Sequence, residues 1–595
     1  MNRFVKSMLA LSMTSAMTIP LVNAATYQII DKGDPSVQYT YAQQSNNNGD
    51  LVLSGTNGFN FPVQFDLLDE GDFANIEAYA AVNNLQIIEL EPIENLDALK
   101  AGNPTTNDLA WTVKWLATKS TDYSYQKTTS TIAFLNSGQS SEEIIIFDDN
   151  ALLPQSRSTV DIVKGVTDGG WVYGSASAPY LPQNFTNSTG DENTSWYREF
   201  SSRAFFSDDR GVNIYEIKPP SENNTDMEKN NGGVSGILDL SETQIAVGFM
   251  STERTTNFQN IIDSETEAQG CANPDFIADV PKDICIQTYR DADTAEPYQI
   301  RAFKAVVNGN GDSSITNLGL LVTPHEDDVR TFESYAQAVN DEGVVVGFSH
   351  AWVDESETTP VDDQSRSLYA AVYKDGEMTS FAKDHGVHFD SRAFDINNSG
   401  IATGHVSMAI SGKLRTKFYY IDTTNVDEME LVIPTDFFDS SSSTARAINE
   451  SGFIVGEGEV ETHTDSTQNP RRTHAFLYDT TNDIFQDINE LIACDSQYSI
   501  IEARDINENN IISASAVLKV QQRDARGELL FDAQGDALME DIIRAVTLEP
   551  IEDDGQVCTR EEEGKVIRKG ASFGLFSLFA LLIVGLRRRV YAIKH

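Results

Sequence analysis

Basic residues are scarce in this chain. Its 595 residues include 43 Lys and Arg against 90 Asp and Glu, giving a formal net charge of −47. Because such a surface repels phosphate groups, the balance argues against nucleic acid as a partner. The acidic residues are interspersed among strand-forming residues rather than gathered in a tail. We therefore expect a folded chain with a solvated acidic surface.

Motifs that carry known chemistry are also lacking. The sequence holds no G-x-S-x-G nucleophile elbow and no H-E-x-x-H zinc helix. Its eight histidines are scattered, and the only tight group is His385 and His388 with Asp390. A metal site there is the weaker interpretation, because Gly386 and β-like neighbours favour a solvated loop. No catalytic residue is assigned.

Two acidic, glycine-containing segments are candidates for calcium loops. Residues 308–314 ("NGNGDSS") and 532–541 ("DAQGDALMED") place oxygen ligands near glycines. Neither has the full twelve-residue calcium-loop pattern with its terminal glutamate. The favoured interpretations are a hairpin turn for the first and an acidic loop for the second. No cofactor is assigned, and calcium stays an alternative.

The N-terminus has the features of a secretory signal. Arg3 and Lys6 precede the short apolar run "MLALSMTSAMTIPL", and "VNA" ends at Ala24 with the small residues that a signal peptidase requires. The sequence predicts a signal peptide over residues 1–24 and export of the remainder.

The C-terminus carries a second targeting signal. An apolar run over residues 571–586 precedes Arg587, Arg588 and Arg589. As a helix it would span roughly 24 Å, close to the thickness of a hydrocarbon core. The layout resembles the GlyGly-CTERM sorting tails of Gram-negative bacteria, with Gly570–Ala571 in place of the glycine pair. The resemblance implies processing near Gly570 by a sorting protease and delivery to the surface; a plain membrane anchor is the alternative.

Cysteine is scarce too, with four in the chain: Cys271, Cys285, Cys494 and Cys558. An even number in an exported chain favours disulfides. The simplest pairing joins Cys271 to Cys285 and Cys494 to Cys558, while the two other pairings stay open. Wide spacing without adjacent histidines argues against a zinc site.

What the chain does have is repetition. "ARAINESGFIVGEG" (445–458) contains Asn449, Gly452 and Gly456. Matching offsets recur at Asn340, Gly343 and Gly347 and at Asn397, Gly400 and Gly404, with weaker copies at 42–55, 163–176, 237–250 and 503–516. Seven small-then-aromatic runs alternate with these copies: 132–136, 203–207, 301–305, 369–373, 417–421, 474–478 and 544–548.

One repeat predicts an antiparallel β-meander. The motif gives two strands joined by a turn in which Gly or Asn takes a positive φ. The closing glycine allows a close backbone approach or a bulge. The aromatic run gives a third strand, and fourth strands are expected at 143–147, 213–217, 318–322, 379–383, 430–434 and 484–488.

Seven such meanders predict an all-β, seven-bladed β-propeller over residues 25–548. Residues 26–33 have fourth-strand character, whereas nothing after 548 does, so the N-terminal strand is expected to close the ring. A small helical insert is predicted at about 69–131, a disulfide-bonded loop insert at about 253–299, an acidic linker at 549–569 and the sorting tail at 570–595. An open array of β units is the alternative architecture.

The pattern A-x-x-I-N-x-x-G-x-x-x-G followed by "HAFLY" (474–478) resembles HAF-type extracellular repeats. With the tail, the chain is similar to an uncharacterised exported family, which implies surface location and supplies no catalytic residue. We therefore expect a binding or display module for an envelope or extracellular protein or a polysaccharide. A secreted hydrolase or lyase that uses carboxylates, with or without calcium, at the propeller channel is the alternative.

Overall fold

Seven antiparallel sheets are arranged in chain order in the computed structural model, and an eighth, two-stranded sheet lies apart from them. Strands alternate with short turns because β-branched and aromatic residues fill the former, and Gly, Asn and Asp the latter. The structure describes residues 26–551 except 88–89, 129, 139, 150–152, 154, 221–232, 293–295, 312, 355–363, 464–468, 494 and 533.

The first four blades follow the chain from strand one to strand four. Blade one comprises β2 (Val37–Ser45), β3 (Leu51–Gly58), β4 (Thr131–Asn136) and β5 (Ser141–Ile144). Blade two comprises β6 (Asp161–Val166), β7 (Val172–Ala176), β10 (Arg203–Ser207) and β11 (Tyr215–Ile217). Blade three comprises β12 (Ser235–Leu240), β13 (Ile245–Arg254), β14 (Tyr298–Val307) and β15 (Ser313–Gly319). Blade four comprises β16 (Ser334–Val339), β17 (Val345–Trp352), β18 (Arg366–Lys374) and β19 (Glu377–Ser380).

The last three blades complete the ring. Blade five has three strands, β20 (Asp390–Ile396), β21 (Ile401–Ile410) and β22 (Lys413–Asp422). Blade six comprises β23 (Ser443–Ile448), β24 (Phe453–Glu459), β25 (Thr473–Asp479) and β26 (Ile484–Asp487). Blade seven comprises β27 (Ser499–Ile506), β28 (Ile512–Gln521), β29 (Met539–Ile551) and, from the other end of the chain, β1 (Thr26–Asp31).

The N-terminal strand closes the propeller, as the sequence predicts. β1 pairs antiparallel with β29 from Thr26 opposite Ile551 to Asp31 opposite Val546. The Tyr27 side chain is buried in the core of blades six and seven, with Leu491 among its neighbours, and its backbone N–H bonds the Leu491 carbonyl at 2.8 Å. Closure therefore gives β29 a partner on its outer edge and adds an aromatic side chain to the core.

The core lies between neighbouring blades, and the small-then-aromatic third strands form much of it. In blade six Ala475 and Phe476 have no exposed surface, and Tyr478 is buried. Phe476 packs against Phe418 of blade five with ring centroids 4.7 Å apart. The repeated aromatic run thus marks the strand that contacts a neighbouring blade.

The two glycines of the motif have different structural roles. Gly452 has a φ of +80°, the left-handed conformation that its turn requires. A Cβ on Gly456 would lie 2.0 Å from the backbone oxygen of Thr444, so no side chain fits there without a backbone shift. The pairing of β23 with β24 shifts register at this point, between Ala445 and Ala447. The closing glycine therefore accompanies a β-bulge in the inner strand.

The long insertions occupy connections between the second and third strands of blades. The insert of blade one contains α1 (Glu70–Asn83), α2 (Leu96–Lys100) and α3 (Thr106–Ala117), within the helical insert predicted from the sequence. Blade two carries the hairpin β8 (Leu181–Thr186) and β9 (Glu192–Tyr197). Blade three carries α4 (Thr256–Asp263), α5 (Pro274–Ile277) and α6 (Lys282–Arg290). Single 3-10 turns lie at Phe65–Leu67, Val426–Glu428 and Ile488–Glu490.

One of the predicted disulfides lies in the insert of blade three. Cys271 and Cys285 are bonded, with Cα atoms 5.6 Å apart, and both are buried in a small cluster with Phe258 and Ile286. Cys494 and Cys558 lie outside the described residues, as do the predicted signal peptide and sorting tail. None of the helices in the described part of the chain has the length and hydrophobicity needed to span a bilayer.

The outermost strands depart most from the sequence predictions. The strand expected at 318–322 is β15, which begins earlier, and the one expected at 143–147 is β5, which also begins earlier. Residues 430–434 form no regular strand, and only Val432 bridges to Tyr420. An outer strand pairs on one side only, so its position depends less on side-chain packing than that of an inner strand.

Candidate ligand-binding channel

The first strand of every blade lines the central channel, and each of these strands contains a register shift. In blade two, Val163 pairs with Gly174 and Gly165 with Tyr173, so Lys164 is the extra residue. We call the residues at this point the bulge layer: Gln43, Lys164, Leu238, Gln337, Phe394, Arg446 and Arg504. A bulge turns its extra side chain away from the regular alternation of the strand.

The motif asparagines form hydrogen bonds between neighbouring blades. Asn449 is 1% exposed; its Oδ1 accepts the N–H of Phe453 at 3.0 Å, which forms the turn, and its Nδ2 donates to the Asn507 carbonyl of the next blade at 3.1 Å. Asn46, Asn340, Asn397 and Asn507 make the same two kinds of bond. Thr167 and Ser241 accept the turn bond without a side-chain bond to the next blade; the Ser241 hydroxyl also bonds that of Thr243 in its own blade at 2.9 Å. The motif asparagines therefore form a hydrogen bond across five of the seven junctions between neighbouring blades.

Replacing Asn449 by Asp separates these two roles. The aspartate keeps an acceptor for Phe453 but loses the donor and places a carboxylate against the carbonyl of Asn507. We expect the free energy of unfolding, measured by denaturant titration, to fall by about 2–4 kcal/mol. The control Asn425→Asp changes an exposed asparagine that only caps a 3-10 turn, and it should shift stability by less than about 0.5 kcal/mol. Equal effects would contradict an inter-blade role for Asn449.

A second ring surrounds the channel mouth, one residue beyond the motif asparagines. We call it the rim ring: Asn47, Asp168, Glu242, Asp341, Asn398, Glu450 and Glu508. The backbone N–H of each member donates to the side-chain oxygen of the member in the next blade, at 2.5–3.1 Å. Glu508 donates to Asn47, which closes the ring. Carboxylates at this mouth therefore serve first as acceptors that hold neighbouring blades together.

Three aspartates lie just inside the rim. Asp239, Asp395 and Asp505 follow the bulge in blades three, five and seven, and all three line the channel mouth. Asp395 accepts the N–H of Ile448 at 2.7 Å and Asp505 that of Ser45 at 2.9 Å, each from the following blade. Burial raises the pKa of Asp395 to about 8 and that of Asp505 to about 7, and the charges of the other aspartates add to the rise.

The raised pKa of Asp395 predicts a pH dependence of stability. The folded state binds a proton more tightly than the unfolded state, so this group stabilises the fold at pH 4 and loses that contribution as pH rises to about 8. The asparagine of Asp395→Asn does not titrate, so the variant does not lose this stability as pH rises. We expect the stability difference, variant minus wild type, to become more favourable between pH 5 and pH 8, measured by denaturant titration at each pH. A stability difference for Asp395→Asn that stays constant between pH 5 and pH 8 would contradict the assignment.

Two arginines of the bulge layer form ion pairs with neighbouring glutamates. The Arg446 guanidinium bonds Glu457 at 3.0 Å, and Arg504 Nε bonds Glu502 at 2.8 Å. Lys164 makes no hydrogen bond or ion pair with any described residue. Burial lowers the pKa of Lys164 to about 8, and the charges of Arg504 and Arg446 lower it further. Because these residues belong to blades two, six and seven, their interaction runs across the channel.

The second-to-third-strand inserts lie together on one face. In an antiparallel meander these connections all fall at the same end of the blades, opposite the motif turns. We call this end the insert face and the other the turn face. Four neighbouring inserts touch: Asn60 N–H bonds Ala525, Trp196 N–H bonds Tyr123, and Arg198 pairs with Asp291 at 2.9 Å. A continuous cap therefore covers blades seven, one, two and three.

A cleft of about 280 Å³ opens beside this cap, between blades seven and one. Phe59, Arg523, Glu540 and Arg544 contribute to its lining. The cleft lies where β1 meets blade seven, so the strand that closes the ring also forms part of its wall, through Asp31. This cleft is a concave surface on the insert face, whereas the channel mouth inside the rim ring opens on the turn face.

The structure does not gather the histidine group into a metal site. The His385 ring nitrogen contacts the Trp352 carbonyl at 2.7 Å and stacks on Tyr369, whereas Asp390 pairs with Arg392 at 2.8 Å. Among the residues that the structure describes, no group of three His, Cys, Asp or Glu is placed to hold a metal ion. Residues 308–311 lie in the turn between β14 and β15. Ala24 and Gly570 lie outside the described residues.

Sequence reasoning missed the rim ring and the channel charges. A signal was present, because every motif copy has Asn, Asp or Glu directly after its Asn, Thr or Ser. Lys164, Arg446 and Arg504 share one place in the motif, but their proximity depends on the ring being closed. The turn residues themselves have the geometry that a turn needs, with a φ of +81° at Gly343 and +80° at Gly400.

The closed ring of seven sheets defines this protein as a seven-bladed β-propeller. The chain matches a family described as "Protein of unknown function (DUF3466)" over residues 3–589, and it belongs to that family. No curated protein matches it.

Three solved structures resemble the chain at very low identity. The β-propeller domain of the Trilobed protease from Pyrococcus furiosus is 9% identical with a TM-score of 0.34, covering 88% of this chain and 99% of that one. The acylaminoacyl peptidase of Pyrococcus horikoshii is 10% identical with a TM-score of 0.33, covering 82% of this chain and 52% of that one. Oligogalacturonate lyase from Vibrio parahaemolyticus is 10% identical with a TM-score of 0.31, covering 71% of this chain and 84% of that one.

Proposed function

We propose that this protein is an exported, cell-surface binding module that engages its ligand through the insert face. The observation that carries the proposal is the contrast between the two faces. The turn face is built from repeated short turns held by the rim ring, whereas the insert face carries inserts that differ from blade to blade. Binding residues are commonly placed on variable loops that a rigid scaffold positions.

The cap is built firmly enough to present a surface. Arg290 and Arg198 both pair with Asp291, and Gln287 Nε2 donates to the Trp196 carbonyl at 2.9 Å. The Cys271–Cys285 disulfide holds the same insert and suits an oxidising compartment. On this face Phe531 is 57% exposed and Leu85 is 85% exposed, so apolar contact area is available to a protein or polysaccharide partner.

Export and surface location rest on the two ends of the chain. Mass spectrometry of the protein isolated from its native cells tests both. We expect a mature N-terminus at Ala25 and a C-terminus close to Gly570. Protein that is surface-exposed with an intact Arg587–Arg589 tail would contradict sorting by cleavage, and an N-terminus that retains residues 1–24 would contradict export.

A second candidate function, that of a secreted hydrolase or lyase using carboxylates at the channel, is favoured by one observation. Asp239, Asp395 and Asp505 converge beside the rim ring, with pKa values shifted upward by burial. Against it, these carboxylates already accept backbone N–H groups that join the blades. We therefore favour binding over catalysis, with Asp395→Asn as the test: it should leave ligand binding intact, and abolished turnover of a substrate would favour the enzyme.

A further inference from the structure

Lys164 occupies an unusual electrostatic position. Its side chain is half-buried in the bulge layer, and no described residue pairs with its ammonium group. The two arginines that share its part of the channel each have a glutamate partner, Glu457 for Arg446 and Glu502 for Arg504. Within this group of five side chains the two arginines are matched by two glutamates, and Lys164 has no carboxylate partner.

The positive charge of Lys164 destabilises the folded protein when no anion is bound beside it. Burial disfavours the ammonium form, and Arg504 and Arg446 repel it, which together lower the pKa of Lys164 to about 8. A buried charge normally has a partner or loses its proton. An anion between Lys164 and the arginines would supply that partner and would favour the charged form.

Arg504 and Arg446 each have guanidinium N–H groups that their glutamate partners do not use. Arg504 uses its Nε for Glu502, and Arg446 uses Nε and Nη2 for Glu457. The other N–H groups of these two guanidiniums make no hydrogen bond with a described residue. Guanidinium and ammonium groups together match the oxygens of a carboxylate or phosphate.

The remainder of the molecule limits the size of the ligand. With a net charge of −47 and a rim ring that includes five carboxylates, the surface repels long polyanions. A small molecule with one or two oxyanion groups carries too little charge to be repelled as strongly. We propose that the channel binds a small oxyanion-bearing molecule, a carboxylate or a phosphate, between Lys164 and the Arg446–Arg504 pair.

The test compares anion binding by the full-length protein and two lysine variants. Inorganic phosphate and succinate are titrated by calorimetry at constant ionic strength set with chloride. We expect saturable binding of at least one anion, weakened about tenfold or more in Lys164→Gln. Lys413→Gln, which changes an exposed lysine, should bind as the wild type does. Binding of phosphate alone identifies a phosphate ligand, and binding of succinate alone a carboxylate.

Amine labelling gives a second readout that does not depend on the variant. Competitive acylation followed by mass spectrometry reports the reactivity of Lys164 at each pH. The bound anion should slow labelling of Lys164 and raise its apparent pKa, without changing Lys413. Absence of saturable binding by both anions, or binding that Lys164→Gln leaves unchanged, would overturn the proposal. Ligand binding through the insert face would stand in either case, because the inserts lie outside this layer.

Discussion

Deletion of residues 26–31 is expected to open the propeller and to lower the free energy of unfolding by about 5 kcal/mol or more. The deletion removes the whole pairing of β1 with β29 and the buried Tyr27 side chain. Burial of one large side chain contributes about 2–3 kcal/mol, and the exposed edge of β29 loses its partner as well. The measurement is denaturant unfolding followed by circular dichroism.

Two point variants separate the core contribution from loss of the strand. Tyr27→Ala removes the buried ring, whereas Gln28→Ala changes the exposed neighbour on the other face of β1. We expect about 3 kcal/mol of destabilisation from the first and less than about 0.5 kcal/mol from the second. A synthetic peptide of residues 25–33 should restore stability to the deleted protein. A deletion without effect on unfolding would contradict closure by the N-terminal strand.

Gly456→Ala is expected to cost about 3 kcal/mol or more, although it adds a single methyl group. The Cβ would lie 2.0 Å from the Thr444 oxygen and 2.9 Å from the Ala445 Cα, so the backbone of β23 has to move. Blade seven shows such an adjustment: it has Ala514 at the corresponding place, and β27 has a second register shift, between Ile500 and Glu502.

The control for this variant is Gly412→Ala. Gly412 has a φ of +78° and no heavy atom within 4 Å of an added Cβ, so only the backbone conformation opposes the change. We expect about 1 kcal/mol there. Equal costs at Gly412 and Gly456, measured by denaturant titration, would show that close approach of the inner strands does not constrain the motif.

The sequence was sufficient to predict what each repeat forms by itself. Gly452 lies at the turn, the run 474–478 forms a third strand, and the interleaved patterns count the blades correctly. These features depend on contacts within one repeat or on burial of one strand. Residues 26–33 predicted closure because a missing fourth strand and a spare strand were both visible in the sequence.

Features that arise between repeats were not predicted. Glu508 and Asn47 are hydrogen-bonded across the closing point of the ring, yet they are 461 residues apart in the chain. The charges of Lys164 and Arg446 interact only because blades two and six face each other across a channel. The helices α4–α6 were missed because a short helix docked on a propeller is stabilised by packing more than by its own propensity. Outer strands such as β15 were misplaced since little packing fixes their ends.

The central functional claim is that ligand binding uses the insert face. Hydroxyl-radical footprinting of the protein on its native cells, compared with the purified protein, tests it even while the ligand is unidentified. Phe531 and Leu85 report on the insert face, and Val212, 78% exposed between β10 and β11, reports on the turn face. We predict that oxidation of Phe531 or Leu85 falls on the cells while that of Val212 is unchanged. Protection of Val212 alone, or no protection at either face, would contradict the claim.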